Sequence, residues 1–245
     1  MAGNYIELVG VAGAGKTATA KILVNEARRR KVAIRTRGVV GKNLWLRVKT
    51  IYTTTMIVLS VPAILSLYLV RTRSAYAHTP YVRRVIRNLI TRMIVDTAVV
   101  RCLQRQSSGH LVNDEGLLGK LVSLSVLTEI TPSKMQFLVE KLLPTPAMLV
   151  YVTVPPMVAL VREHQRQIEL PFFNEMAYEL KETFFRDAVR MYTELAKTEF
   201  SMSNVEIVSI NNAGSHDDLA KEVASVATTL RSIVLPSKDG KSAYE

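Results

Sequence analysis

A phosphate-binding loop constrains this chain more than any other feature of its sequence. Residues 10–17 are GVAGAGKT, which match the pattern G-x-x-x-x-G-K-T. In such a loop the backbone N–H groups hold phosphate oxygens, the lysine reaches the β- and γ-phosphates, and the threonine hydroxyl binds Mg²⁺. A β-rich segment precedes the loop and helical apolar spacing follows it, which is the arrangement that the motif requires. The predicted nucleotide contacts in this loop come from Gly10, Ala12, Gly13, Ala14, Gly15, Lys16, Thr17 and Ala18.

The composition is that of a basic globular protein. The 245 residues suffice for one large α/β domain with an insertion, and 48% of them are hydrophobic. The formal net charge of +11 points to anionic partners, which include nucleotides, phosphorylated substrates, nucleic acid and a membrane surface. Cys102 is the only cysteine, which argues against a disulfide framework and a cysteine zinc site. Because no N-terminal signal peptide is evident, we expect a cytoplasmic location.

Apolar, β-branched segments alternate with helical ones along much of the chain, which predicts an α/β fold with a parallel sheet and helices on both faces. We expect five strands, at residues 4–10, 32–37, 110–114, 147–153 and 205–210. Thr131, followed by Pro132, is predicted to cap one helix, and Ser215 is predicted to cap the last. We therefore expect a single domain over residues 1–245, with a mobile polar tail at residues 236–245.

Residues 39–107, between the second and third predicted strands, are expected to form a helical insertion. Residues 51–70 contain no charged side chain, and a run of that length could cross a bilayer. Residues 81–106 combine an apolar stripe with arginines that lie largely off it, as in a basic amphipathic helix at a membrane surface. A single crossing would put two strands of one sheet on opposite sides of the membrane, so we do not expect a span. Three alternatives stay open for residues 51–70: a buried helix, a homodimer interface, or contact with an anionic membrane at its inner face.

Two pairs of charged residues are candidates for phosphoryl-transfer chemistry. Asp114 and Glu115 follow the third strand, where a carboxylate can hold Mg²⁺ or accept a proton from an attacking hydroxyl. We assign this role to Asp114, with Glu115 as the alternative. Arg162 and Arg166 lie four residues apart on a predicted helix and share one of its faces. Their guanidinium groups suit the negative charge of a transferred phosphoryl group, and a solvated basic helix is the alternative.

The phosphate loop, the acid after the third strand, the segment LVYVTVPPMVALVREHQRQ and the segment VEIVSINNAGSHDDL together resemble the thymidylate kinase-like P-loop kinases. The resemblance covers about residues 4–38 and 108–215, and it fails in residues 39–107. It implies a five-stranded parallel sheet and a lid that closes over ATP. It also implies that Arg162 and Arg166 are lid arginines and that Asp114 is the catalytic acid or base. The same resemblance implies that Asn211 and Asn212 belong to a loop at the adenine side.

The chain departs from this family at one position that affects the acceptor. Thymidylate and deoxynucleoside kinases have an arginine after the third-strand acid, and this chain has Glu115. An anionic residue there disfavours a nucleoside monophosphate as acceptor, although Arg35 or Arg37 could compensate. We therefore expect an ATP- and Mg²⁺-dependent kinase acting on a hydroxyl of a sugar, a glycan end or a lipid-linked alcohol, with Arg35, Arg37 and Glu115 near that acceptor.

Two other functions stay open at this point. The first is a nucleoside or nucleoside monophosphate kinase. The second is a nucleotide-driven switch without kinase activity, although INNAG stands where small GTPases have N-K-x-D, and no L-S-G-G-Q sequence of transporter ATPases occurs. Nucleic acid is not an expected partner, because the arginine-rich segment lacks interleaved aromatic residues and any recognition motif.

Overall fold

The structure is a computed structural model, and the residues that it describes are 4–36, 49–56, 67, 69–79, 81–106, 109–114, 116–165, 176–197 and 205–234. Within these ranges one sheet contains five strands, in the order β2-β3-β1-β4-β5. The strands are β1 (Tyr5–Val9), β2 (Ile34–Thr36), β3 (His110–Asn113), β4 (Met148–Thr153) and β5 (Glu206–Asn211). Every pair of neighbours is parallel. The predicted parallel α/β arrangement is confirmed, and the strand positions agree with the prediction to within two residues at each end.

Helices cover this sheet, and its central strand is buried on both faces. Every residue of β1 is buried, which is typical of a parallel strand between two layers of helices. The helices are α1 (Lys16–Arg29), α2 (Val82–Gln106), α3 (Leu117–Leu127), α4 (Pro132–Leu142), α5 (Pro156–Gln165), α6 (Tyr178–Lys197) and α7 (His216–Val234). α1 packs against α7, while α3 packs against both α2 and α6. Residues 49–56 are also helical, and Ser74–Tyr76 form a short 3₁₀ turn.

Local sequence signals fixed the helix boundaries where they were strongest. Thr131 Oγ1 accepts a hydrogen bond from the Lys134 backbone N–H at 3.3 Å, with proline at the first helical position. Ser215 Oγ accepts one from the Asp218 backbone N–H at 3.2 Å. Both predicted caps are therefore confirmed. The apolar face predicted for α1 is also confirmed, since it is buried at Ala20, Leu23, Val24 and Ala27.

The apolar stripe of α2, for which the sequence suggested contact with a membrane surface, is buried in the protein. The stripe lies in the core at Val82, Ile86, Ile90, Met93 and Ile94. This burial argues against membrane contact through the stripe of residues 81–106, because the same side chains are not available to lipid. Within the described ranges no helix has both the length and the apolar character that a membrane crossing needs.

Parts of the predicted insertion and the tail fall beyond what the structure describes. Residues 57–66 and residue 68, in the charge-free run, lie outside the described residues, and so does the tail at 236–245. Ile51 and Tyr52 are exposed and Leu67 is buried, so the described part of the run has no uniform environment. The interpretation of residues 51–70 and the domain boundaries proposed for residues 39–107 stay predictions.

Candidate active site

The phosphate loop lies at the C-terminal end of the central strand, where ligands of parallel α/β sheets bind. Gly10 and Gly13 have φ values of +143° and +75°, which residues other than glycine rarely adopt. A Cβ atom on Gly10 would overlap the carbonyl oxygen of Val152 in β4, and one on Gly13 would overlap that of Ala159 in α5. The loop is therefore pressed against β4 and α5, and these two positions require glycine.

Lys16 is the first residue of α1 and connects the loop to the neighbouring cavity. Its Nζ donates to the carbonyl oxygens of Gly10 and Val11, both at 2.8 Å. The side chains of Thr17 and Ala18, in the first turn of α1, are exposed. The N-terminal end of this helix carries a partial positive charge that favours phosphate. The loop residues predicted from the sequence therefore lie together around the start of α1.

Asn212 braces the phosphate loop from the side of β5. Its Nδ2 donates to the carbonyl oxygen of Ala14 at 2.7 Å, and both residues are buried. The half-buried Arg162 donates from Nη1 to the carbonyl oxygen of Asn212 at 2.9 Å. Asn211 Oδ1 accepts from the Ala213 backbone N–H at 3.1 Å. Arg162 and Asn212 thus lie together beside the loop, and Asn212 holds loop backbone in addition to the adenine-side role predicted for it.

The predicted catalytic and acceptor residues are only partly described. Asp114 follows β3 directly and is half-buried, at the same edge of the sheet as the phosphate loop. Arg35 is in β2, paired with Leu111 of β3, and its side chain lies outside the description. The remaining three predicted residues lie outside the described residues, and they are Arg37, Glu115 and Arg166. Their roles stay predictions.

A cavity of about 560 Å³ opens beside the phosphate loop, between α2, α3 and α6. Gly10, Val11, Ala12 and Lys16 form its loop side. The rest of its lining consists of Tyr81, Arg84, Val85, Asn88, Leu89, Arg92, Gly119, Lys120, Ser123, Leu127, Phe184, Ala188 and Tyr192. Its size is that of a small-molecule site, and its wall combines aromatic and aliphatic side chains with a few polar groups.

A buried ion pair supports the wall of this cavity. Lys120 Nζ lies 2.9 Å from Asp96 Oδ2, and the two side chains are 11% and 6% exposed. Asp96 is in the buried second half of α2 and Lys120 is in α3, so the pair joins the two helices where they pack. A carboxylate buried to this degree needs such a partner.

Glu7 is a charged residue in the middle of the central strand, and it is 2% exposed. Its Oε2 accepts from the Tyr5 hydroxyl at 2.8 Å, and its Oε1 accepts from the Leu118 backbone N–H at 2.6 Å. α3 has no side-chain cap from its own N-cap residue, Gly116, so Glu7 supplies the carboxylate that this helix end favours. Burial raises the pKa of Glu7 to about 7, and the hydrogen bonds and the charge of Lys120 offset only part of that rise.

Tyr192 of α6 joins the Glu7 region to the phosphate loop. Its hydroxyl lies beside the backbone of Gly10, and its side chain also lines the cavity. Burial raises the pKa of Tyr192, and the nearby Glu7 carboxylate raises it further. Its ring packs on that of Tyr151, with centroids 5.7 Å apart. The phenol therefore stays protonated and holds α6 against the loop.

Glu7 and the cationic lining of the cavity are parts of the site that were not predicted from the sequence. A signal for Glu7 was present, because a carboxylate within an otherwise buried strand requires a partner. Asp96 carried the same signal within the apolar half of α2. No local signal indicated that Arg84 and Arg92 line a cavity, since this depends on how α2 packs against α3 and α6.

Comparisons with known proteins bear on the fold. No protein-family model matches the sequence, and no curated protein matches it. Solved structures of deoxyadenosine kinase from M. mycoides are similar in three dimensions. The structure with bound dATP has a TM-score of 0.52 and 11% identity, and the one with bound dCTP has a TM-score of 0.51 and 12% identity. Each match covers 93% of this chain and 99% of the kinase chain. The chain therefore has the fold of the P-loop nucleoside kinases.

Proposed function

We propose that this protein is an ATP-dependent phosphotransferase of the nucleoside kinase type, with its acceptor in the cavity beside the phosphate loop. The observation that carries the proposal is the shared wall formed by Gly10, Val11, Ala12 and Lys16. Because these residues belong to both the phosphate loop and the cavity, an acceptor in the cavity would meet a phosphate held by the loop. Placing two reactants side by side in this way supplies a large part of the rate of a bimolecular transfer.

Each group in the proposed reaction has a chemical role. An acceptor hydroxyl oxygen attacks the γ-phosphorus of ATP, the bond from that phosphorus to the β-phosphate oxygen breaks, and ADP leaves. We assign Asp114 as the acceptor of the hydroxyl proton, and Lys16 and Arg162 as the cations that balance charge on the transferred group. The backbone N–H groups of the loop and the start of α1 hold the other phosphate oxygens.

The residues present fit a magnesium ion of the kind that kinases use. Mg²⁺ prefers oxygen ligands and takes most of them from phosphates and water, with only one or two from the protein. Thr17 Oγ1 and the Asp114 carboxylate are the oxygen donors that we assign to it. Among the described residues no group of three or more His, Cys, Asp or Glu side chains could hold a metal, and a phosphate-bound Mg²⁺ does not require one. The ion would neutralise charge on the β- and γ-phosphates.

A nucleoside or nucleotide acceptor accounts for the cavity better than the sugar or lipid-linked alcohol expected from the sequence. The fold neighbours are deoxyadenosine kinases solved with bound dATP and dCTP. The rings of Tyr81, Phe184 and Tyr192 line the cavity and suit the flat face of a base. The membrane-presented acceptor also loses its main support, since the apolar stripe of α2 is buried in the core.

The experiment that tests the proposal measures ADP release from ATP with and without each of a panel of nucleosides, nucleoside monophosphates and sugars. We expect ADP release to require an acceptor and to yield a phosphorylated product in equal amount. Lys16→Ala should abolish this transfer. Lys21→Ala is the matched control, because Lys21 is exposed on the same helix and does not line the cavity. Slow ADP release at the same rate with and without acceptors would indicate a nucleotide-driven switch and would overturn the proposal.

A further inference from the structure

We infer that the acceptor already carries a phosphate group, and that Arg84 and Arg92 of α2 bind it. This inference rests on the proposed function, because it names the substrate class of the same cavity. The fold neighbours are described as deoxyadenosine kinases, whose named acceptor is an uncharged nucleoside. The cavity of this chain has a charge that an uncharged acceptor would not use.

Among the described residues, the lining of the cavity contains four cationic side chains and no carboxylate. These cations are Lys16, Arg84, Arg92 and Lys120. A concave site lined by one sign of charge concentrates ligands of the opposite sign. The cavity therefore favours an anion on electrostatic grounds.

Two of these four cations already have a role. Lys16 belongs to the phosphate loop and is positioned by the carbonyls of Gly10 and Val11. Lys120 is paired with Asp96. Within the described part of the chain, by contrast, Arg84 and Arg92 have neither a hydrogen bond nor an ion pair. Both residues are exposed, so their guanidinium groups line the cavity where a ligand from solvent can reach them.

The spacing of these residues on α2 gives them a common direction. Arg84, Asn88 and Arg92 are four residues apart, so they lie on one face of the helix, and all three line the cavity. The two arginine Cα atoms are about 12 Å apart along the axis, at 1.5 Å per residue. Arginine side chains are long enough to approach each other across that distance, and their planar forks match phosphate oxygens. Asn88, between them, adds an amide that can donate to the same ligand.

This arrangement changes the charge argument made from the sequence. Glu115, in place of the arginine of related kinases, disfavoured a nucleoside monophosphate there. Arg84 and Arg92 supply positive charge from a different element, the helix before β3. The apolar lining at Val85, Leu89 and the aromatic residues suits a ring at the other end of the same ligand. A ring joined to a phosphate is the chemistry that such a wall recognises.

The test is direct binding of matched pairs of ligands by calorimetry, followed by transfer assays. The pairs are thymidine with dTMP, deoxyadenosine with dAMP, and glucose with glucose 6-phosphate. We expect the phosphorylated member of at least one pair to bind about tenfold or more tightly, as charge-assisted hydrogen bonds predict. Glucose 6-phosphate as the only preferred ligand would identify a sugar phosphate, while dTMP or dAMP would identify a nucleotide.

Variants assign the selectivity to the two arginines. Arg84→Gln and Arg92→Gln should each raise the Kd and the KM for the phosphorylated ligand about tenfold or more, with at most a twofold change for its uncharged partner. Arg84→Lys and Arg92→Lys should recover part of the affinity. Arg83→Gln is the matched control, because it removes one charge from an exposed position on the same helix that does not line this cavity.

The outcomes separate the inference from the proposed function. Equal binding of both members of every pair would overturn the inference, and so would unchanged selectivity in the Arg84 and Arg92 variants. If a nucleoside were still phosphorylated in that case, the proposed function would stand. Selective binding of a phosphorylated ligand without transfer to any acceptor would refute the proposed function and support the anionic site. No binding of any of the six ligands would overturn the inference.

Discussion

Replacing Glu7 by glutamine should remove a pH dependence from the stability of this protein. Glu7 has a pKa of about 7 in the folded chain and an ordinary value of 4.5. Because the folded state binds this proton more tightly, the favourable contribution is complete below pH 4.5 and is lost as the pH rises through 7. At 1.36 kcal/mol per pH unit, the loss between pH 5 and pH 8 is about 2.5 kcal/mol for this one group. Glutamine keeps the shape and the acceptor oxygen for Leu118, but it does not ionise.

The measurement is urea unfolding of the wild type and of Glu7→Gln at pH 5, 6, 7 and 8. We expect the free energy of unfolding of the variant, minus that of the wild type, to rise by about 2.5 kcal/mol from pH 5 to pH 8. Glu194→Gln is the control, since it removes a carboxylate whose side chain is 58% exposed, and its difference from the wild type should stay small at every pH. A difference between Glu7→Gln and the wild type that does not change with pH would refute the reasoning, because Glu7 would then ionise alike in the folded and unfolded chains.

Four substitutions test the phosphate loop and the proposed base. Lys16→Ala should abolish transfer while the circular dichroism spectrum stays that of the wild type, because the side chain lies at the half-buried edge of the loop; a near-normal rate would contradict the kinase proposal. Asp114→Asn should lower kcat about a hundredfold or more, and Glu115→Gln should have a smaller effect, as steady-state kinetics can show; the reverse order would move the base to Glu115. Gly13→Ala should weaken ATP binding and lower the thermal midpoint, because its Cβ would overlap the Ala159 carbonyl at a φ of +75°; an unchanged midpoint and affinity would show that the loop can shift.

Much of the fold could be predicted from the sequence because its signals are local. The glycine spacing of residues 10–17 sets the turn after β1, and apolar runs bounded by turns set the strands. Thr131 and Ser215 mark their helices because capping involves residues three positions away. These features need no knowledge of what packs against them.

The rest of the site depends on contacts between residues that are far apart in the sequence. Glu7 accepts a hydrogen bond from the backbone N–H of Leu118, 111 residues later, and the sequence around Glu7 does not indicate that partner. The arginines of α2 have the same helical spacing whether they face solvent, lipid or a cavity. Only the packing of α2 on α3 decides among these, and it places Arg84 and Arg92 on the cavity and the apolar stripe in the core. The net charge alone pointed to anionic partners without separating a membrane from a ligand.

Strand β1 sets the distance between the two halves of the proposed site. Its C-terminal end continues into the phosphate loop at Gly10, and Glu7, three residues earlier, holds the start of α3. α3 in turn carries Lys120 into the wall of the cavity and Gly119 against the Tyr192 hydroxyl, which lies beside the backbone of Gly10. The phosphate loop and one wall of the cavity are therefore connected through β1, the Glu7–Leu118 hydrogen bond and buried packing instead of through a long chain of loops. Such a short, rigid connection suits phosphoryl transfer, where misplacing the reacting atoms by about 1 Å can cost a hundredfold in rate.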